Sequence, residues 1–172
     1  MDTTRWLDDG ELILWKRLQA VAEFLPASVD AQLRADSGLT RFEYYVLAML
    51  SEAPDHTRPM SALALVTNGS LSRLSHAATR LEREGWISRA RVPSDRRATL
   101  ATLTAAGLRK LEASAPGHVE EVRRVLFDRL SVEQVRALNA ALAPVIDALV
   151  PAGALGESCP GSAGAGECPP NG

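Results

Sequence analysis

Cysteine is nearly absent from this sequence: its two cysteines, Cys159 and Cys168, both lie close to the C-terminal end. The rest of the chain therefore has no thiolate metal site and no thiol redox chemistry of its own. The spacing of the two cysteines fits no standard metal motif, and a disulfide or redox switch in the tail stays open beside a passive tail. The three histidines are scattered, without a carboxylate or cysteine at ligand spacing, so we expect no bound metal.

Long apolar runs and catalytic motifs are missing as well. No run approaches the ~18 to 20 apolar residues of a membrane span. The first residues are acidic, the reverse of a secretory signal, so we expect a cytoplasmic protein without membrane contact. Neither a glycine-rich phosphate loop nor a nucleophile elbow occurs, so the sequence supports no cofactor and no enzymatic reaction.

An excess of positive charge is also lacking, because the formal net charge at pH 7 is −2. The charge is unevenly distributed, however: seven arginines and three acidic residues lie between Gly69 and Leu103. A basic segment on an acidic body is typical of a protein that touches a polyanion with one surface. An ordinary solvated charged face is the alternative, which charge alone leaves open.

Helical periodicity dominates the chain before Pro151, which predicts a mainly α fold in one domain. The first helix is expected from about residue 8, with Pro26 bending or breaking it. Thr40 and Glu43 form a capping box for the next helix. The segment from Pro54 to Pro59 is interpreted as a loop.

The later part of the chain returns to helix after residue 104, with an interruption or kink expected at Pro116. Ser131 and Gln134 form a second capping box, which begins an amphipathic final helix. From Pro151 the chain is rich in proline, glycine and alanine, which predicts disorder.

A helix-turn-helix pattern occupies residues 60–85. Ser61 can cap a short helix, Asn68 and Gly69 suit a tight turn, Ser70 can cap a longer helix, and Gly85 ends it. The predicted apolar stripe of the longer helix consists of Leu71, Leu74, Ala78 and Leu81. After Gly85 two short apolar and β-branched runs surround a turn, which predicts a β-hairpin.

The outer face of the longer helix suits a DNA major groove, because small hydroxyls allow close approach and arginine can bind guanine. An amphipathic helix with a merely solvated face is the alternative. The basic hairpin that follows favours DNA. At its tip Asp95 precedes Arg97 by two residues and can aim the guanidinium into a minor groove, with a surface salt bridge as the alternative.

The stretch from Arg80 to Gly107 resembles the MarR family of winged-helix transcription regulators. The family pattern is a helix ending in Leu-x-x-x-Gly, an arginine four residues later, then Asp-x-Arg and Leu-Thr-x-x-Gly. This sequence has Leu81 to Gly85, Arg89, Asp95-Arg96-Arg97, and Leu103-Thr104 to Gly107. The resemblance extends more loosely over roughly residues 8–149.

The resemblance implies a mainly α fold with a small β-hairpin wing, a winged helix-turn-helix whose N- and C-terminal helices form a dimerisation region. The corresponding segments are an N-terminal dimerisation helix (1–38), a DNA-binding lobe (39–107), C-terminal dimerisation helices (108–150) and the disordered tail (151–172). A homodimer then binds a palindromic operator on double-stranded DNA. Many family members are repressors that a small aromatic effector releases.

By the same resemblance the helix near Ser70 to Glu84 enters the major groove and Arg97 the minor groove, while Arg89 and Arg91 contact phosphates or brace the wing. The family often has Thr-Arg where this chain has Ser75-His76, and a neutral histidine is a weaker phosphate partner than arginine. The predicted DNA-binding residues are Ser70, Ser72, Arg73, Ser75, His76, Arg80, Arg89, Arg91, Asp95, Arg96 and Arg97.

An effector pocket is expected between the first two helices. Its candidate lining residues are Trp15, Phe42, Tyr44 and Tyr45, although aromatic residues at helical spacing are commonly plain core. Tyr44 and Tyr45 are adjacent, so at most one is expected in the pocket, and His118 or Arg5 is a candidate partner for an acidic ligand. A winged-helix module that binds proteins or small molecules without DNA is the alternative function.

Overall fold

A computed structural model describes residues 4–92 and 95–150, except for the side chains of residues 92 and 95–97. The predicted disordered tail, with Cys159 and Cys168, lies outside the described residues. Within them the helices are α1 (Asp9–Ser37), α2 (Arg41–Ser51), α3 (Met60–Val66), α4 (Leu71–Arg83), α5 (Ala105–Val125) and α6 (Val132–Leu149). The strands are β1 (Thr57–Pro59), β2 (Ile87–Val92) and β3 (Asp95–Leu103). The predicted mainly α fold with a small β-hairpin is confirmed.

Both long helices run through their internal prolines. Pro26 lies inside α1 and Pro116 inside α5, so the expected break at Pro26 and interruption at Pro116 are wrong. A proline removes one backbone N–H bond, and tertiary packing on both sides of it can hold the helix together. In α5 the next residue is Gly117, where a Cβ would lie 3.0 Å from Gln32 Nε2 of α1. The two helices therefore pack closely at this point.

The predicted caps are mostly confirmed. Thr40 with Glu43 and Ser131 with Gln134 form complete capping boxes at α2 and α6. Ser70 caps α4 by accepting from the backbone N–H of Arg73 at 3.1 Å. The predicted cap at Ser61 is wrong, because α3 already begins at Met60 and has no side-chain cap.

The core lies between α2, α3, α4 and the sheet. Fully buried members include Val46, Leu47 and Leu50 of α2 and Leu74 and Leu81 of α4. Leu71 was predicted to share the α4 stripe but is 57% exposed. At ~100° per residue it lies about 60° to the side of Leu74, which turns its side chain out of the core.

The sheet has the order β1-β3-β2 and is antiparallel throughout. Thr57 of β1 pairs with Thr102, so the segment expected to be a loop contributes a strand to the wing. Gly85, with φ of 74°, turns the chain from α4 into β2, and Asn68, with φ of 47°, turns it from α3 into α4. These turns place α4 directly beside the hairpin.

A candidate nucleic-acid interface beside an apolar cavity

Helix α4 presents a polar outer face beside the β2–β3 hairpin. Its buried stripe faces the core, and the side chains of Ser72, Arg73, Ser75 and His76 are exposed. The hydroxyl of Ser70 caps α4. The exposed polar side chains of Ser72, Ser75 and His76 remain open to a binding partner. The face is narrow and free of large apolar groups apart from Leu71, so the helix can approach a groove closely.

Arg73 is held from beneath by an aromatic ring. Its guanidinium carbon lies 4.2 Å from the ring centroid of Phe42, a cation–π contact. Phe42 is 6% exposed and packs so closely on Gly69 that a Cβ there would lie 2.7 Å from the ring. Phe42 therefore belongs to the core and supports Arg73 of α4. Its expected place in an effector pocket is wrong.

Arg80 is engaged inside the protein. One terminal nitrogen, Nη1, donates to Glu43 Oε2 of α2 at 2.5 Å, and the other, Nη2, donates to the carbonyl of Gly38 at 2.7 Å. Both contacts cross from α4 to the corner between α1 and α2. The DNA contact expected of Arg80 would therefore have to replace two hydrogen bonds inside the protein.

Arg89 braces the hairpin against α4. Its backbone N–H donates to Glu82 Oε1 at 3.0 Å, and its Nε and Nη2 donate to Glu82 Oε2 at 3.0 and 2.7 Å. Nη2 also donates to Thr79 Oγ1 at 3.2 Å. The hydrogen bond from Arg89 lowers the pKa of Glu82, so the carboxylate stays ionised. Of the two predicted roles for this arginine, the structure shows bracing.

The remaining wing residues are only partly described. Arg91 is exposed on β2, where the pairing register with β3 shifts between Arg91 and Val92. The backbone of Asp95, Arg96 and Arg97 begins β3, but their side chains lie outside the described residues. The expectation that Asp95 aims Arg97 stays a prediction.

An apolar cavity of about 230 Å³ lies where α1, α2 and α5 meet. Tyr44 and Tyr45 both line it, so the expectation that at most one does is wrong: side chains ~100° apart on α2 can each reach a cavity that spans two neighbouring helices. Trp15 is 53% exposed and is not among the lining residues. The lining consists of Leu25, Pro26, Val29, Arg41, Tyr44, Tyr45, His118 and Val122.

His118 gives the cavity a polar point. Its ring centroid lies 4.5 Å from that of Tyr44, and its buried Nδ1 has no hydrogen-bond partner among the described residues. Burial lowers the pKa of His118 and raises that of Tyr44, so both rings are neutral at pH 7. The sequence suggested His118 as a ligand partner by its position alone. Nothing in the sequence marked the proline and the apolar residues that line the cavity beside it.

Among the side chains that the structure describes, no group of three or more could together hold a metal ion. Among the described helices none is both long and apolar enough to cross a membrane.

Comparison with known proteins connects this architecture to a family. Two crystal structures from Streptomyces coelicolor are each 39% identical in sequence. Sco3205, a MarR family transcriptional regulator in complex with DNA, superposes with a TM-score of 0.80 over 88% of this chain and 95% of that chain. AbsC, another MarR family regulator, gives a TM-score of 0.77 over 85% of this chain and 98% of its own. The chain belongs to the MarR family.

Two further matches agree with this assignment. A model of the MarR family matches residues 37–98, which span the corner before α2, the helix-turn-helix and the start of β3. The HTH-type transcriptional repressor YetL of Bacillus subtilis is 29% identical over 120 residues, which cover 70% of this chain and 71% of YetL. This MarR family member is thus a transcriptional regulator with a DNA-binding winged helix, to which α4 and the β2–β3 hairpin belong.

Proposed function

We propose that this MarR family regulator represses transcription by binding a palindromic operator as a homodimer, and that a small aromatic acid releases it. The observation that carries the proposal is the outer face of α4, where Ser72, Ser75 and His76 are exposed beside a hairpin that Arg89 fixes to the same helix. A rigid polar helix next to a basic strand matches the geometry that a major groove and its flanking phosphates require.

The proposed contacts divide into base reading and phosphate binding. Ser72, Ser75 and His76 reach base edges near the N-terminal half of α4. Arg73 on its aromatic support and Arg91 on β2 bind phosphates. The sequence motif at residues 95–97 supports Arg97 as the minor-groove residue, with Asp95 orienting it and Arg96 beside it.

Dimerisation is supported by the apolar surface of the terminal helices. Helix α6 has no buried residue in the described chain, although Leu138, Val145 and Leu149 lie along it at 40%, 46% and 73% exposure. Helix α1 exposes Trp15 and Phe24 among other apolar side chains. Large apolar side chains exposed on both terminal helices support a protein interface there. A second copy of the chain would cover it with two-fold symmetry, which predicts an operator of two inverted half-sites.

The cavity between α1, α2 and α5 is the proposed effector site. Its volume of about 230 Å³ is below the ~300 Å³ at which pockets for drug-sized ligands begin, so it suits a single small ring. Tyr44 and His118 offer ring contacts, His118 Nδ1 is a free acceptor or donor, and Arg41 at the lining can pair with a carboxylate. A phenol or aromatic carboxylic acid matches these three features.

DNA binding is tested by fluorescence anisotropy on an operator recovered from genomic DNA. Arg97→Ala is expected to weaken binding at least tenfold with the melting temperature unchanged, since a good arginine contact contributes ~1 to 3 kcal/mol and the dimer would lose two of them. Arg58→Ala changes an arginine whose Nε donates inward to the carbonyl of Met49 and serves as a control for charge. Unchanged affinity in Arg97→Ala would remove the wing from the interface, and salt-independent binding would favour a protein-interaction module without DNA contacts.

The effector site is tested with sodium salicylate and sodium benzoate as probes. Each is expected to raise the melting temperature of the wild type and to weaken operator binding. His118→Phe fills the same space without a polar atom and is expected to lose the response, whereas His56→Phe, at an exposed turn, is expected to keep it. A response that persists in His118→Phe would place the effector elsewhere.

A further inference from the structure

Arg80 lies on the recognition helix but bonds to the opposite part of the molecule. We propose that Arg80 is a positioning residue: it fixes α4 to the C-terminal end of α1 and thereby sets the separation of the two recognition helices in the dimer. The inference rests on the proposed dimeric DNA binding. Its basis is the pair of bonds from Arg80 to Glu43 of α2 and to Gly38 at the end of α1.

Glu43 makes the Arg80 contact hard to exchange for a DNA phosphate. Glu43 is 4% exposed, and its carboxylate also accepts from the backbone N–H of Thr40 at 2.8 Å in the capping box of α2. A buried carboxylate without its cation is strongly disfavoured. Were Arg80 to turn toward DNA, Glu43 would be left buried and unpaired. The arginine is therefore retained by the protein.

Gly38 extends the connection to α1. The last carbonyls of a helix lack partners within it, and a cation at that end is favourable. Here the carbonyl of Gly38 accepts from Arg80 of α4, and the carbonyl of Ser37 accepts from Lys110 Nζ of α5 at 2.6 Å. The end of a 29-residue helix is thus bonded to the recognition helix on one side and to α5 on the other.

The planar guanidinium is suited to this position because it serves two acceptors in a fixed relation. The Glu43 carboxylate belongs to α2, and the Gly38 carbonyl belongs to the turn between α1 and α2. The Arg80 side chain therefore fixes the orientation of α4 relative to α2 and to that turn. Since α1 also carries much of the exposed apolar surface assigned to the dimer, its direction at Gly38 determines where each α4 stands relative to its symmetry mate.

The test varies the spacing of the operator half-sites by one and two base pairs in each direction and measures affinity at several salt concentrations. In Arg80→Met we expect the preference for the native spacing to fall from about tenfold or more to less than about threefold. The slope of log affinity against log salt should stay unchanged, because no phosphate contact is lost. Arg73→Met is the matched control: an exposed arginine of the same helix, it should weaken binding equally at every spacing. It should flatten the slope by ~1.8, because the dimer loses one phosphate contact in each subunit.

Two further measurements keep the proposal testable if Arg80→Met unfolds or no operator is found. Glu43→Gln keeps a residue that can serve the capping box but removes the charge partner, and it should relax the spacing preference in the same way. For a DNA-free measurement, Cys159 and Cys168 are replaced by serine and a nitroxide is attached at Arg83→Cys. The distance between the two labels in the dimer should then broaden on adding Arg80→Met.

Either of two results overturns the positioning role. One is a uniform loss of affinity with a flatter salt slope in Arg80→Met, which would make Arg80 a phosphate contact. The other is an unchanged spacing preference together with an unchanged label distance. If the wild type binds no DNA but the label distance still broadens, the proposed function fails while the positioning role stands.

Discussion

Replacing Glu82 with alanine should weaken DNA binding, although the change removes a negative charge from the neighbourhood of the DNA. Glu82 accepts three hydrogen bonds from Arg89, which join β2 to α4. If the carboxylate acted only through its charge, its removal would strengthen binding to a polyanion. The two accounts therefore predict changes of opposite sign.

The magnitude follows from the contacts. A hydrogen bond to a charged group contributes ~1.5 to 3 kcal/mol when it is well shielded. The side chains of Arg89 and Glu82 are 25% and 38% exposed, so we take ~1 to 2 kcal/mol for the whole brace. Without the brace, the same free energy is needed to order the wing when DNA binds. The affinity of the protein for DNA should then fall roughly 5- to 30-fold.

The assay is fluorescence anisotropy on the operator at two salt concentrations. Glu84→Ala is the matched control, because it removes the same charge two residues away while its partner is Arg83 and not the hairpin. We expect Glu82→Ala to bind 5- to 30-fold more weakly with an unchanged salt slope, and Glu84→Ala to bind as well as the wild type or better. Equal or tighter binding by Glu82→Ala would refute the bracing argument.

Three other predictions concern stability and assembly. Gly107→Ala should lower the free energy of unfolding in urea by at least ~2 kcal/mol, because the new Cβ would lie 2.0 Å from the carbonyl oxygen of Trp86. Gly10→Ala, whose Cβ would lie 3.2 Å from a single side-chain atom, Asp8 Oδ1, should have a much smaller effect. The hydrogen bonds from Arg124 and Ser28 lower the pKa of Glu121 to about 2. The ionised carboxylate therefore stabilises the fold above the ordinary pKa near 4.5, and this stabilisation is lost as the pH falls toward 2. The difference in the free energy of unfolding between the wild type and Glu121→Gln should shrink below pH 4.5, and a difference independent of pH would contradict this. Val145→Asp on the apolar face of α6 should give a monomer by light scattering, and Arg136→Ala on the opposite, polar side of the helix should not.

The sequence predicted the local features of the fold well because their causes are local. The capping boxes at Thr40 and Ser131 need only a residue three positions away, and they are confirmed. The turn at Gly85 needs only a residue that accepts a positive φ. By contrast, β1 has three residues, too few to show a period, and exists because it pairs with β3 far along the chain.

The two helices that continue through a proline show where local residue preferences fail to predict the length of a helix. Pro26 and Pro116 each weaken a helix locally, but buried residues of the same helices anchor them in the fold: Leu33 lies seven positions after Pro26, and Leu111 lies five positions before Pro116. That packing is a tertiary effect, and the spacing of residues along one helix does not reveal it.

The sequence could predict which residues form the outer face of α4, but it could not predict which side chains bond to one another. The polar outer face of α4 followed from the position of its apolar stripe. The brace between Arg89 and Glu82 joins residues seven positions apart across a turn, and the bond between Arg80 and Glu43 spans two helices. A list of arginines therefore could not separate those that face outward from those that hold the lobe together. Nor could it place Trp15 outside the cavity and Tyr44 with Tyr45 inside it.

The central claim, that this is a dimeric regulator reading an inverted repeat, is tested most directly by recovering genomic DNA on the purified full-length protein. The bound fragments are sequenced after washing at low and at moderately high salt. We expect one enriched palindromic motif with two half-sites about one helical turn apart, whose recovery falls as salt rises. Fragments without a common motif, or a motif with a single half-site, would contradict the claim.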